Sequence, residues 1–414
     1  MYDLLIIGGG AAGFFTAINT AEKHPNFKIV ILEKSKEALH KVRISGGGRC
    51  NLTNATFTPQ ELVKNYPRGS KELLSPFLRF MCGDTIDWFE AHGVPLKTEA
   101  DGRVFPISNT SESIVNCFLN EIKRHHIELF TEQNVQAFSP TPNGWQVSTP
   151  KQTYITRNVV ITTGSNPKIW QLLANLGHTI IAPVPSLFTF HTSTQWTKDL
   201  SGIAINASVC LLSKEGKSLK ITETAPLLFT HTGFSGPAVL RTSAWGARVL
   251  AECNYQCLME VNFTANLTEA LSYDETLSVL QEFKQHNGRK AMQSFSLFEL
   301  PKRLWSALLE NAGISPEQVW AELNKTQLRR LAEALTQYRF PIEGKATFKE
   351  EFVTAGGVKL SEINFKTYES KLHPQLYLAG EVLDIDAITG GFNFQNAWTG
   401  GYIIAENFVV KNSK

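Results

Sequence analysis

Several features are scarce in this chain, and each scarcity removes a class of protein. There are six cysteines in 414 residues, at 50, 82, 117, 210, 253 and 257, with no CxxC pair. A disulfide scaffold and a dithiol relay are therefore excluded. Cys253 and Cys257 have no second His or Cys pair beside them to complete a zinc site, so no metal is expected. Reduced thiols and a cytoplasmic location are the expectation. No apolar run reaches the ~18 residues of a membrane span. The opening segment carries no basic stretch of the kind that starts a signal peptide. Charge of one sign is also lacking: 40 basic residues stand against 38 acidic ones, a net +2. That balance provides no overall field for nucleic acid or membrane, though a local basic face stays open. Internal repeats, low-complexity tracts and long linkers are absent too.

What remains is an ordinary globular composition, 43% hydrophobic and 19% charged. At this length two or three domains are expected. The first forty residues carry the strongest signal. Leu4-Leu5-Ile6-Ile7 reads as a buried parallel strand. Gly8-Gly9-Gly10-Ala11-Ala12-Gly13 follows, in the pattern G-x-G-x-x-G. Phe14 to Lys23 reads as a helix, and Ile29-Val30-Ile31-Leu32 as a second strand ending at Glu33.

Each part has a physical reason. Gly8 permits a tight turn, Gly10 lets the backbone approach a pyrophosphate, and Gly13 lets helix and strand pack closely. The helix start offers free N–H groups and a positive dipole end to phosphate. Glu33 can accept hydrogen bonds from ribose hydroxyls and would repel a 2′-phosphate. The motif by itself does not separate FAD from NAD.

Two later segments favour FAD. Val159-Val160-Ile161 is a further apolar strand running into Thr162-Thr163-Gly164. Leu376-Tyr377-Leu378-Ala379-Gly380 is a strand ending at Glu381, and a Gly-rich loop, Thr389 to Asn393, leads to a helix expected from about Phe394. The dipole of that helix would hold negative charge on N1 and O2 of a reduced flavin. A third glycine stretch, Lys41 to Asn54, contains Gly46-Gly47-Gly48 between two arginines and should lie over the cofactor. Cys50 within it is read as a backbone or packing position in preference to a reactive thiol.

At these residues the chain resembles the YhiN/BaiN-like bacterial flavoproteins, the aminoacetone oxidase family. The motifs that carry the resemblance are GGGAAG, ISGGGRCNLTN, GRVFP, FTHTGFSGPAVL, VTAGGVKLSEIN and LAGEVLDIDAITGGFNFQNAWTGGY. The resemblance implies a Rossmann-like, two-dinucleotide-binding α/β FAD domain built from both chain ends. It implies that Gly8, Gly10, Gly13, Glu33, Arg43, Gly48, Arg49, Cys50, Asn51, Gly380, Glu381, Gly391, Phe392 and Asn393 sit at FAD, with Val135 touching adenine through its backbone. Ala11, Ala12, Lys34, Lys41, Thr53, Thr163 and Gly164 complete the expected cofactor set. One departure from the family pattern is that Ser165-Asn166-Pro167-Lys168 runs straight into a helix-like stretch, Ile169 to Leu176.

The expected boundaries are an FAD domain over 1–190 and 340–414, an inserted β-barrel or sheet over 191–265, and an inserted helical subdomain over 266–339. Leu277, Leu280 and Phe283 share a helical face, as do Leu304, Leu308 and Leu309; Trp320, Leu323, Leu328, Leu331 and Leu335 make another. Residues 280–345 hold ten basic against seven acidic side chains. That surplus is read as a solvated surface, with ribosomal RNA contact the sharper alternative.

For chemistry, the chain has no second GxGxxG, and so no nicotinamide domain of the disulfide-reductase kind. Three readings stand. The leading one is reduction of an activated C=C bond by hydride from reduced flavin N5, with NAD(P)H as donor and an enone or a uracil of ribosomal RNA, giving dihydrouridine, as acceptor. The second is an oxidase of small amines such as aminoacetone, and the third a non-enzymatic flavin-binding module. Arg103, Phe105, Thr354 and His231 are the candidate catalytic residues.

Overall fold

The computed structural model describes residues 1–266, 269–345 and 353–408. The chain divides into two compact units, one made of Met1–Val184 with Val353–Lys414 and the other of Pro185–Phe352.

The first unit is built on a parallel sheet. Its strand β1 (Tyr2–Ile7) pairs on one side with β2 (Ile29–Leu32) and on the other with Thr153–Ile161. Glu128–Phe130 extends the β2 side and Leu376–Leu378 the other, again in parallel. Leu4 to Ile7 and Ile29 to Leu32 are buried on both faces, as a sheet covered on both sides requires. Each such side chain contributes about 1.5–3 kcal/mol on burial. Thr153–Ile161 has two roles. Its first residues pair antiparallel with Gly144–Ser148, and its last with β1. The chain leaves β1 towards one side of the sheet and returns later on the other, so a crevice opens at the carboxyl ends of β1 and Thr153–Ile161.

Two helices of this unit cross one another closely. Helix α1 (Ala11–Lys23) buries ten of its residues, among them Thr16 and Thr20. Their hydroxyls bond back to the carbonyls of Ala12 and Thr16, which lets two polar side chains lie in the core. The second helix, Phe392–Glu406, crosses α1 at Gly401, where a Cβ would come within 2.9 Å of Thr16 Oγ1. That glycine allows the close crossing.

The second unit carries a seven-stranded antiparallel sheet running from Tyr338–Ile342 through Cys257–Asn262, Ala204–Leu212, Ser218–Thr230, Gly233–Ser235 and Phe190–His191 to Gly344–Lys345. Its two outermost strands are separated in the chain by Glu343 alone, so the sheet curls until its edges meet. This is how a short sheet removes its open edges. The expected boundaries at 190 and 340 are therefore corrected. Phe190 pairs with Phe234 and Lys345, and Met259 with Phe340, so both positions fall inside barrel strands of the insert. Within the region expected to be all β, Pro237–Trp245 and Ala247–Glu252 are helical. The helices Tyr273–Asn287, Lys302–Asn311 and Lys325–Thr336 follow. Leu280, Leu304, Leu308, Leu309, Trp320, Leu331 and Leu335 all lie in one core with the barrel interior.

Candidate functional site

The glycines of the first motif are held by sterics that can be stated atom by atom. Gly8 has φ +113°, and a Cβ there would lie 2.6 Å from the Thr162 carbonyl oxygen. A Cβ on Gly13 would lie 2.1 Å from the Gly8 oxygen. At Gly10, by contrast, a Cβ would meet nothing within 4 Å. Gly8 and Gly13 serve the fold, and Gly10 faces open space where a ligand can approach the backbone. Helix α1 begins immediately after Gly10 with no side-chain cap, so its first N–H groups are offered to an anion.

Beside this turn lies an open pocket lined by Gly8, Glu33, Lys34, Gln133, Asn134, Val135, Thr163 and Asn166 among others. Glu33 is fixed at its mouth: Gly9 N–H donates to one carboxylate oxygen and Ser35 N–H to the other, each at 2.8 Å. The hydroxyl of Thr163 is buried in the protein and finds no hydrogen-bond partner among the described residues. An orphaned hydroxyl, an uncapped helix start and a carboxylate at the rim fit the adenosine and pyrophosphate of a dinucleotide.

The second glycine stretch is contorted. Gly46, Gly47 and Gly48 all have positive φ, and Cys50 follows at +59°. Cβ atoms on Gly47 and Gly48 would point into open space. Cys50 is fully buried, and burial pushes its thiol up to about 12, partly opposed by a hydrogen bond with Ser45. It is no thiolate nucleophile, in line with the packing role read for it. Asn51, with its amide oriented to satisfy both neighbours, ties Thr53 O to Gly391 N–H at 3.1 and 3.0 Å, so the glycine loop and the C-terminal helix meet.

The C-terminal helix starts at Phe392, two residues earlier than expected, because Gly391 at φ +94° ends the loop. Asn393 does not turn its side chain to a ligand. It accepts from Ala387 N–H and donates to Ala387 O, which locks the preceding loop. The helix has no side-chain cap and no acid in its first turn, so its positive end is uncompensated. Glu381 accepts from Thr354 N–H at 3.0 Å and pairs with Lys41 at 2.5 Å.

The candidate catalytic side chains fare unevenly. Arg103 is paired with both Asp101, at 2.7 Å, and Glu99, at 3.1 Å. Its guanidinium is thus committed to carboxylates. Phe105 is fully buried under Arg49, whose guanidinium sits 4.0 Å from the ring centroid, so Phe105 packs and does not reach a substrate. Thr354 reaches the site through its backbone bond to Glu381. His231 lies exposed on a turn of the second unit. Arg43 pairs with Glu112, yet its buried Nε has no partner among the described residues. Gln133, Asn134 and Asn166 line the pocket and were not anticipated. The Asn166-Pro167 pair was a readable signal for a helix start, and Asn166 does cap Pro167–Asn175 through Lys168 N–H.

A model of one protein family, described as the HI0933-like protein Rossmann domain, matches residues 2–407. The chain belongs to this family. It is a FAD-dependent oxidoreductase. It is 28% identical over 96% of its length to the 3-dehydro-bile acid delta(4,6)-reductase of Clostridium scindens, covering 97% of that protein. It is 29% identical over 97% of its length to the ribosomal RNA dihydrouridine synthase of Haemophilus influenzae, again covering 97%. With the protein of that name from Escherichia coli it shares 26% identity, over 100% of this chain and 99% of the other. No helix among the described residues is long and apolar enough to cross a membrane.

Proposed function

We propose that this oxidoreductase reduces an activated C=C bond, in an enone or in a uracil of ribosomal RNA, with NAD(P)H as the electron source. The reading is carried by one observation. Relatives with two different substrates, each matched almost end to end, are named for one reaction type, hydrogenation of a C=C bond conjugated to a carbonyl.

FAD, when bound, supplies the hydride from N5 of its reduced form. The chain's own residues do the rest. Gly8 to Gly13 and the start of α1 would hold the pyrophosphate, and Glu33 the adenosine ribose. Gly48 to Asn51 and Gly391 to Asn393 would close on the ring end, where the uncapped helix start would stabilise negative charge. Glu381, fixed by Thr354 N–H, would accept from a ribityl hydroxyl. The basic residues around the mouth are largely neutralised by Glu99, Asp101, Glu112 and Glu381. The site therefore orients a polar carbonyl substrate more readily than it gathers phosphates. In the insert, basic residues are also spent locally, among them Arg339 on Glu260, Lys284 on Leu323 O and Arg303 on Asp199 O.

The test is an anaerobic titration of the purified holoprotein with NADPH or NADH, followed by addition of a dienone steroid or undermodified ribosomal RNA. Bleaching of the flavin by the nucleotide and its return on adding one acceptor supports the proposal. Bleaching by aminoacetone in place of the nucleotide would replace it with the amine-oxidase reading.

A further inference from the structure

Three helices of the first unit end at one spot, far from the dinucleotide crevice. Helix α1 contributes Glu22 from its last turn. Helix Cys82–Ala91 contributes its C-cap, His92. Helix Glu112–Arg124 contributes Glu121 and its own C-cap, His125. Phe15, Trp88 and Phe118 hold these helices together in the core, with ring centroids 4.6 Å apart for Phe15–Trp88 and 6.0 Å for Trp88–Phe118. Three helix C-termini bring three negative dipole ends to one place, and two carboxylates add to them. The sum attracts a cation.

The side chains have the form of a ligand set. One ligand atom each from Glu22, Glu121 and His125 lies within 4.8 Å of the other two. Glu121 and His125 are four residues apart and so share a helix face. Glu121 is 9% exposed, and its Oε2 is buried without a hydrogen-bond partner among the described residues. His125 Nε2, 3.4 Å away, is in the same state. The nearest cation, Arg124, stands 3.5 Å from that oxygen on a side chain 71% exposed. The Glu121 oxygen and the His125 nitrogen form an ion pair when the ring is protonated, yet neither makes a hydrogen bond among the described residues, and a cation held by both would satisfy them. His92 completes the arrangement. Its ring stacks on Trp88 at 3.8 Å, its Nδ1 is bonded to the Trp88 carbonyl at 2.6 Å, and its Nε2 is hydrogen-bonded to Glu22 at 2.8 Å. An imidazole that holds a ligating carboxylate in place from outside is the usual outer support of a metal site.

We infer that Glu22, Glu121 and His125, with His92 beside them, bind a divalent transition-metal ion of the zinc class. Mixed carboxylate and imidazole ligands suit such an ion better than magnesium or calcium. Helix α1 has 13 residues, which puts the ion about 20 Å from the end that faces the pyrophosphate. The ion is thus a tie between three helices and not a participant in flavin chemistry. Sequence spacing did not reveal it, because the ligands come from helices a hundred residues apart.

The experiment uses FAD-loaded, tag-free protein stripped with chelator and titrated calorimetrically with Zn²⁺ alone, alongside thermal unfolding. The expected result is one ion per chain and a rise in Tm. His125→Ala and Glu22→Gln should each weaken binding by at least the ~10–100-fold that loss of an outer support costs, with the flavin spectrum unchanged. Glu22 is exposed, so its variant does not depend on core packing. Absence of stoichiometric zinc binding in the parent protein, or the same affinity in both variants, would overturn the inference.

Discussion

The two units of this protein are specified in different ways. The dinucleotide unit is defined at its site by residues that lack side chains: Gly8, Gly13, Gly46 and Gly391 stand where a Cβ would strike backbone within 2.1 to 2.7 Å. The insert is defined by large side chains. Trp305 and Trp320 are fully buried, and Trp305 also donates from its ring to the Met292 carbonyl at 2.8 Å. A backbone-defined site tolerates almost no substitution at a few positions. A side-chain core tolerates repacking at many.

The sharpest break in that comparison is Gly13→Ala. Its Cβ would overlap the Gly8 oxygen, so the crossover of strand and helix should fail, with loss of soluble, flavin-bearing protein. Gly10→Ala is the control that sharpens it. The new methyl meets no protein atom, so unfolding free energy should stay within ~0.5 kcal/mol of the parent while FAD affinity, read by fluorescence titration, drops about tenfold or more. Equal FAD affinity in the Gly10 variant would show that the phosphates bind elsewhere.

Next in size is Trp305→Ala. Removing a fully buried indole should cost about 3–5 kcal/mol in denaturant unfolding. A loss below ~1 kcal/mol would mean that the insert core repacks more freely than its burial implies.

Glu33→Ala should come third. It frees the rim of the pocket and leaves the N–H groups of Gly9 and Ser35 without their acceptor, for a combined effect of about 1–3 kcal/mol on FAD retention and stability. Full flavin occupancy after dialysis would argue against the assigned role.

A smaller effect comes from a cluster with the order of a hydrolase triad. Ser370 Oγ is 3.0 Å from His178 Nε2, and His178 Nδ1 is 2.9 Å from Glu362. The serine is buried, and its oxygen already accepts from Leu372 and His373 N–H, so the group clips a loop and is no nucleophile. Burial lowers the His178 pKa from its ordinary 6.5, against the opposing pull of Glu362, and keeps the ring neutral. The unfolded chain takes up a proton below that value and the folded chain resists it. Stability from this group is therefore present above pH 6.5 and lost as pH falls below it. His178→Gln should flatten the fall of Tm across that range. The smallest change is Lys64→Ala, which removes an exposed pair with Glu61 and should shift stability by less than ~0.5 kcal/mol.

Much of the first unit was legible because its requirements are local. A buried strand, a turn that needs positive φ and an uncapped helix start all fall within Leu4 to Gly13. Glu33 follows at the end of the next strand, and Gly380-Glu381 and Gly390-Gly391 repeat the pattern near the other end. The amphipathic helices of the insert were legible for the same reason, since periodicity is a local property. Its limits were not. Positions 190 and 340 were set as domain boundaries, yet both lie in strands whose partners are distant in the chain, and only the closing of the barrel decides that. The fate of Arg103 and Phe105 was equally hidden: a free guanidinium and a paired one have the same sequence, and the carboxylates of Glu99 and Asp101 become partners only through the turn between them. The sequence by itself thus determined a dinucleotide cradle and its cofactor class, because glycine positions encode backbone conformation directly. Tertiary structure alone decided which side chains are spent on one another, as Arg103 is on Glu99, and which, like Thr163, are left without a hydrogen-bond partner among the described residues, because that depends on contacts between segments far apart in the chain.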